Sequence, residues 1–171
     1  MKTDKYILET ARTKIRPLSP DDAEHFYSLN QDPEVLKYTG DDPFETVNAA
    51  KEFLQQYDQY KKYGLGRWAV ISKENDEFLG WCGLKYTPET NEYDLGYRFY
   101  KKYWNRGYAT ETSQAFIDYG LNSLELDEIV GRAMAANAAS VRVLQKIGME
   151  FFKAFDFEGH PGVIYSIKRR A

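Results

Sequence analysis

Tyr103-Trp104-Asn105-Arg106-Gly107-Tyr108-Ala109-Thr110-Glu111 is the stretch on which the reading of this chain turns. Up to this point strand follows strand; beyond it, strands alternate with helices. A turn that feeds from a strand straight into a helix leaves backbone N–H groups unpaired, and these, with the helix dipole, form an anion cradle. Gly107 removes the side chain that would block a phosphate, Ala109 keeps the next turn close, and Arg106, Lys101 and Lys102 add positive charge. A diphosphate fits such a turn. Taken alone, the same letters also describe a loop glycine before a helix with a solvated basic rim, because short glycine motifs match by chance.

Before this turn, Ile7 to Arg16 reads as a first strand, and Ser19-Pro20-Asp21-Asp22 supplies an N-cap, a first-turn proline and acids suited to a helix running to about Asn30. Asp32-Pro33 breaks it. The acidic loop Thr39-Gly40-Asp41-Asp42-Pro43 leads to a second helix, Thr46 to Tyr63, ended by Gly64. Strands follow at Trp68 to Ser72, Phe78 to Tyr86 and Glu92 to Tyr100, joined by polar turns. After the turn come a helix from Gly107 to Ser123, a strand from Glu128 to Met134, a helix from Ala138 to Ile147, and strands at Phe151 to Phe157 and Val163 to Lys168. The pattern predicts one α+β (mixed α/β) domain over residues 1–171, with a single mostly antiparallel sheet of about seven strands flanked by four helices.

Composition narrows the function. With 171 residues the chain suits one domain, and 43% hydrophobic against 29% charged residues is ordinary for a globular protein. The 14 Tyr and 10 Phe suit strands whose rings pack while hydroxyls reach water, since no basic stripe interleaves with them. A net charge of -3 disfavours nucleic acid as a partner. The start, MKTDKYILETARTKIR, lacks the apolar run of a signal peptide, and no stretch approaches the roughly twenty apolar residues of a membrane span. With the single Cys82 there is no intrachain disulfide and no metal cluster, so a soluble, cytoplasmic protein without a metal is expected.

A second constellation is Asn137-Ala138-Ala139-Ser140, which opens a helix directly after a strand. Asn137 suits an N-cap, and Ser140 then sits one turn in, its hydroxyl free to point at the mouth of the sheet while Val141, Leu144 and Ile147 face the core. Read alone, each of these residues is better explained by capping and surface polarity.

Together these segments resemble the GNAT N-acetyltransferase superfamily, and within it the branch that acetylates ribosomal-protein N-termini. The further marks are Lys14-Ile15-Arg16-Pro17-Leu18, Phe78-Leu79-Gly80-Trp81-Cys82-Gly83-Leu84, Asp94-Leu95-Gly96-Tyr97 and Lys146-Ile147-Gly148-Met149-Glu150, so nearly the whole chain is covered. The superfamily's pyrophosphate loop, Q/R-x-x-G-x-G/A, puts Trp104 first, Gly107 fourth and Ala109 sixth. Trp104 departs from the general pattern. The resemblance implies acetyl-coenzyme A as cosubstrate, held by Trp104 to Thr110 with Asn137 and Ser140. It further implies that Gly96, Tyr97, Arg98 and Phe99 splay from the strand around Val130 to Ala133, and that pantetheine lies in that gap as an added strand would.

The acceptor amine must be neutral to attack a thioester, and an α-amino group with a pKa near 8 is closer to that state than a lysine near 10.4. Asp94, two residues before Gly96 on the same strand face, is the candidate base, with Glu92 or Glu158 as alternatives. A backbone N–H near Tyr97 or Phe99 suits the oxyanion. The resemblance assigns protonation of the leaving thiolate to Ser140, with Asn137 orienting. No tyrosine lies between Ala138 and Ile147, which leaves Ser140 as the expected local hydroxyl.

Rival readings are weaker. Gly64-Leu65-Gly66-Arg67-Trp68-Ala69 matches a dinucleotide fingerprint in letters, but the helix precedes it and the strand comes after, the reverse of what that motif needs. There is no G-x-x-x-x-G-K-[ST] loop. Cys82 lies in a strand without a base nearby, and His25 and His160 read as surface and turn residues. A non-catalytic acyl-coenzyme A sensor or interaction module on the same fold is the alternative from another class; it would bind the thioester without releasing thiol. Peptide N-terminus, aminoglycoside, polyamine and small amino compound all stay open as acceptors. Acids at Asp32, Glu34, Asp41 and Asp42 would favour a cationic amine if they line the groove. Monomer and homodimer are both compatible with the sequence.

Overall fold

The computed structural model describes residues 6–171, so the first five residues of the charged start lie outside the described residues. The strands are β1 (Leu8–Glu9), β2 (Thr13–Pro17), β3 (Arg67–Ser72), β4 (Phe78–Thr87), β5 (Glu92–Phe99), β6 (Glu128–Met134), β7 (Glu150–Phe157) and β8 (His160–Lys168). The helices are α1 (Ala23–Leu29), α2 (Pro33–Leu36), α3 (Val47–Gln56), α4 (Gln59–Tyr63), α5 (Tyr108–Asp118) and α6 (Ala138–Lys146). All eight strands form one sheet in the order β1-β2-β3-β4-β5-β6-β8-β7, antiparallel throughout except for β5 against β6.

Three local departures from the sequence pattern have physical causes. The strand expected over Ile7 to Arg16 folds back on itself, with Leu8 opposite Ile15 and Glu9 opposite Lys14, which brings the strands to eight. Its turn needs neither Gly nor Pro, because Thr10 Oγ1 accepts the Thr13 amide at 3.1 Å while the Thr10 amide donates to the Thr13 carbonyl at 2.8 Å. Asp32-Pro33 starts a helical turn as well as ending one: the Asp32 carboxylate accepts the Glu34 amide at 2.9 Å and Pro33 takes the first helical position. The helix expected over Thr46 to Tyr63 is two, parted at Tyr57, whose backbone is extended and whose hydroxyl accepts the Arg67 amide at 2.8 Å. The expected cap at Gly64 is present, with φ 71.

Each face of the sheet carries its own core. On one side Val70, Leu84, Leu95 and Ile129 pack with Phe116 and Ile117 of α5 and Leu144 of α6. On the other, Ala69, Ile71 and Phe78 pack with Phe26 of α1 and Ala50 and Leu54 of α3. The alternation within Trp68-Ala69-Val70-Ile71 serves both cores, which is why this strand is apolar without interruption. Leu144 is 1% exposed, and its truncation to alanine would cost about 2–5 kcal/mol, the usual range for such a deletion.

What positions the site is a defect in this sheet. Strands β5 and β6 pair only at Asp94 with Val130 and Leu95 with Gly131, yet β5 continues to Phe99 and β6 to Met134. Beyond Leu95 the two part, and the backbone groups of β5 on that side lose their strand partner. The Tyr100 amide donates to the Leu79 carbonyl of β4, so strand alternation turns the amides of Phe99 and Tyr97 to the gap.

Candidate active site

The gap opens into a cleft of about 580 Å³. One wall is the turn into α5. Gly107 has φ 80, a left-handed conformation that costs a side-chain-bearing residue roughly 1–2 kcal/mol, and it is the N-terminal cap of α5 without any side-chain cap. The first amide of this helix to bond back is that of Glu111, to the Gly107 carbonyl at 2.9 Å, so the amides of Tyr108, Ala109 and Thr110 face outward. A Cβ built on Gly107 meets only the Arg12 guanidinium, at 3.5 Å. Trp104, Asn105, Gly107, Tyr108, Ala109 and Thr110 all line the cleft.

Two features of this wall come from residues whose roles the motif alone does not give. Trp104 Nε1 donates to the Phe99 carbonyl at 2.9 Å, satisfying the end of β5 and fixing the loop to it. Glu111, an acid in the first turn, is drawn away from the cradle by the Thr10 hydroxyl at 2.6 Å and by Arg12 at 2.9 Å. Burial pushes its carboxyl up, but these bonds outweigh burial and hold it below its ordinary value. Arg12 also lies 4.1 Å from the centre of the Tyr108 ring, so a cation from the β1–β2 turn stands beside the cradle.

The expected positive charge comes from elsewhere. Arg106 is exposed over the Tyr103 ring and Lys102 over Tyr100 and Tyr103, and none of Lys101, Lys102 and Arg106 lines the cleft. Instead Arg142 and Lys146 of α6 and Lys37 beyond α2 do. Arg142 and Lys146 are four apart on the polar face of α6, a spacing that reads equally as a solvated helix surface.

The other wall is the start of α6 facing β5. Asn137 Oδ1 accepts the Ser140 amide at 3.2 Å, the N-cap expected of it, and both residues line the cleft. From β5, Tyr97, Arg98 and Phe99 line it as well. Tyr97 reaches across the gap, its hydroxyl 2.7 Å from Ser140 Oγ and 3.1 Å from the Ser140 carbonyl oxygen. Ser140 is therefore not the only hydroxyl here: strand β5 delivers a second that a search confined to α6 misses. Burial raises the Tyr97 phenol well above its ordinary value, even against its bond to Ser140.

Asp94, Gly96 and Arg98 lie on the opposite face, where α1 and α3 pack. Gly96 does not line the cleft; the space its missing side chain leaves is filled by the Arg67 guanidinium, which a Cβ would approach to 2.6 Å. Arg67 donates to the carbonyls of Gly83 and Asp94 and to Asp94 Oδ2 at 2.8 Å. Arg132 of β6 stands 3.5 Å from Asp94 Oδ1, a buried oxygen without a hydrogen-bond partner. Glu92 accepts two bonds from Arg132, at 2.8 and 3.0 Å, and is bonded to the Thr90 side chain as well. Arg98 bonds Asn30 Oδ1 at 2.8 Å and Asp41 at 2.7 Å, which lays the segment after α2 over the gap. Glu34 of α2 lines the cleft, and Glu158 of the β7–β8 turn lies against Gly40, about 3 Å from where its Cβ would stand.

Cys82 is fully buried, 3.7 Å from the Ser113 hydroxyl, and burial pushes its thiol up to about 11, which leaves it unreactive at neutral pH. His25 is exposed yet stacked on Phe78 at 4.7 Å, and it takes no part in the cleft.

A sheet splayed beside a helix whose first amides are free defines the class of protein, and comparison with known proteins agrees. Residues 12–150 match the family model described as the acetyltransferase (GNAT) domain. An uncharacterized N-acetyltransferase, p20, of Bacillus licheniformis is 32% identical over 84% of this chain and 82% of its own. A GNAT-family acetyltransferase of Bacillus anthracis superposes with a TM-score of 0.80 at 28% identity, covering 94% of this chain and 97% of that one. The ribosomal-protein-S5-alanine acetyltransferase of Vibrio fischeri shares the fold at 16% identity, with a TM-score of 0.80 over 95% and 96% of the two chains. The chain belongs to the GNAT acetyltransferase family. It is an acetyl-coenzyme A-dependent N-acetyltransferase.

Proposed function

We propose that acetyl-coenzyme A is held with its diphosphate at the amides of Tyr108 to Thr110 and its thioester between Tyr97 and Ser140, and that the acceptor is an α-amino group entering from the side of α1 and α3. The observation that carries this reading is the uncapped start of α5 opening into the same cleft as Ser140. Main-chain donors and the dipole of α5 suit a diphosphate, and Arg142, Lys146 and Lys37 supply countercharge. The gap-facing amides of Tyr97 and Phe99 suit the pantetheine arm and the oxyanion that forms on attack.

The acceptor side favours an α-amine over a polyamine. Of the acids that would draw a polycation, Asp32 caps α2 and Asp41 is taken by Arg98, which leaves Glu34 as the one of the four that lines the cleft. Arg98 lines the cleft, with Arg67 and Arg132 behind it on the same face, each in an ion pair with an acid. Asp94 is held between Arg67 and Arg132 with its Oδ1 buried, so it braces this side of the gap while solvent takes the proton of the amine. Ser140 protonates the leaving sulfur.

A thiol-release screen tests this reading, with acetyl-coenzyme A against peptides with free N-termini, polyamines and aminoglycosides. Turnover confined to polyamines would refute the α-amine assignment, and binding without thiol release under any acceptor would refute catalysis. Acetyl-coenzyme A should also raise the melting temperature, as a ligand of the folded state does.

A further inference from the structure

With Ser140 assigned to the leaving group, a reading on which the role of its neighbour depends, the contact between β5 and α6 has a chemical direction. A serine hydroxyl has one proton and two acceptor positions. Inside a helix its usual partner is a carbonyl three or four residues back. Ser140 Oγ is engaged instead by a residue from another element, the Tyr97 hydroxyl at 2.7 Å, directly across the gap left by the parting of β5 and β6. That hydroxyl has one proton as well, and two places to put it: Ser140 Oγ, or the Ser140 carbonyl oxygen at 3.1 Å. If Tyr97 gives its proton to the carbonyl, Ser140 directs its own proton at Tyr97 and offers none to the cleft. If Tyr97 gives it to Oγ, the Ser140 proton is free to turn into the cleft that both residues line.

We propose that Tyr97 is a positioning residue for the leaving-group proton: its hydroxyl donates to Ser140 Oγ and so aims the Ser140 proton at the departing sulfur. Negative charge growing on sulfur selects this arrangement over the other, and a donor chain from Tyr97 through Ser140 makes the terminal O–H a stronger donor. The step balances. The bond from acceptor nitrogen to the acetyl carbon forms and the carbon–sulfur bond breaks, sulfur keeping the electron pair. Sulfur takes the Ser140 proton, Ser140 takes that of Tyr97, and Tyr97 recovers one from solvent, to which the amine nitrogen has released one.

The test is a double-mutant cycle on the full chain with Tyr97→Phe, Ser140→Ala and both. Thiol release from acetyl-coenzyme A is measured with an N-terminal peptide and with spermidine as amine probes, and without amine, where water takes the acetyl group. Calorimetry gives the affinity for acetyl-coenzyme A, and melting curves check folding. Tyr97→Phe should lower kcat about tenfold, the ratio that one well-made hydrogen bond is worth, with KM and affinity for acetyl-coenzyme A unchanged. In the Ser140→Ala background the same change should have no further effect on kcat, because there is no proton left to aim. A Tyr97→Phe enzyme with wild-type kcat, a loss seen in KM alone, or losses that multiply in the double variant would overturn the proposal. If Ser140→Ala alone keeps wild-type kcat, the assignment of Ser140 itself fails, and that result is visible in the single variant whatever Tyr97 does.

Discussion

The two ends of the cleft are built from different materials. On the proposed reading, the working groups at the phosphate end are main-chain amides displayed by a helix start, and side chains serve mainly to stay out of the way, as Gly107 does with its φ of 80. At the proposed thioester end they are side chains from elements far apart in sequence, Tyr97 on β5 and Ser140 on α6, 43 residues apart. The first end should tolerate most substitutions that preserve the turn. The second depends on two hydroxyls meeting at 2.7 Å, so it has no tolerance for displacement.

The largest expected effect is at the thioester end. Ser140→Ala should lower kcat by about 10²–10⁴ while leaving the affinity for acetyl-coenzyme A within about threefold, measured by steady-state kinetics and calorimetry. At the phosphate end the signature reverses: Gly107→Val should weaken acetyl-coenzyme A by about a hundredfold through lost approach and a strained backbone, with a smaller change in kcat at saturation. If both variants alter affinity alike, the distinction between the two ends is lost. Arg67→Ala, which strips Asp94 of its nearest partner, should cost about 2 kcal/mol of stability and lower the melting temperature by about 4–8 °C. Trp104→Phe keeps the ring but frees the Phe99 carbonyl, and should weaken acetyl-coenzyme A by about fivefold without touching kcat.

The smallest effect concerns the acid beside the cradle. The Glu111 carboxyl is held below its ordinary value in the folded chain, so the unfolded chain binds its proton more readily. Its contribution to stability is therefore present above the unfolded value of about 4.5 and is lost as pH falls through the lower folded value. Melting temperature should decline between about pH 5 and pH 3, and Glu111→Gln should flatten that decline. An unchanged slope would show that Thr10 and Arg12 do not hold it.

The same contrast decides what could be read from the letters. The Gly107 turn was legible because its chemistry is local: a glycine, a small residue and a helix pattern in consecutive positions. The Asn137 cap was legible for the same reason, and the cap is present. The Tyr97 to Ser140 contact was not, because nothing in either segment says that the other will lie opposite it. Arg142 and Lys146 were hidden by a pattern that also marks an ordinary wet helix face. The break at Tyr57 was invisible because a hydrogen bond to Arg67, not a Gly or Pro, makes it. Asp32-Pro33 misled by half: the pair that stops one helix is also a good beginning for the next.

The parting of β5 and β6 has one more consequence. Because β5 and β6 stop pairing there, the two reactants need not share a doorway: under the proposed function one is loaded along α5 and α6, and the other arrives beneath the segment that Arg98 pins. A dead-end analogue of either reactant should then leave the other's port free, so the enzyme works as a corridor with traffic from both sides instead of a room with a single queue.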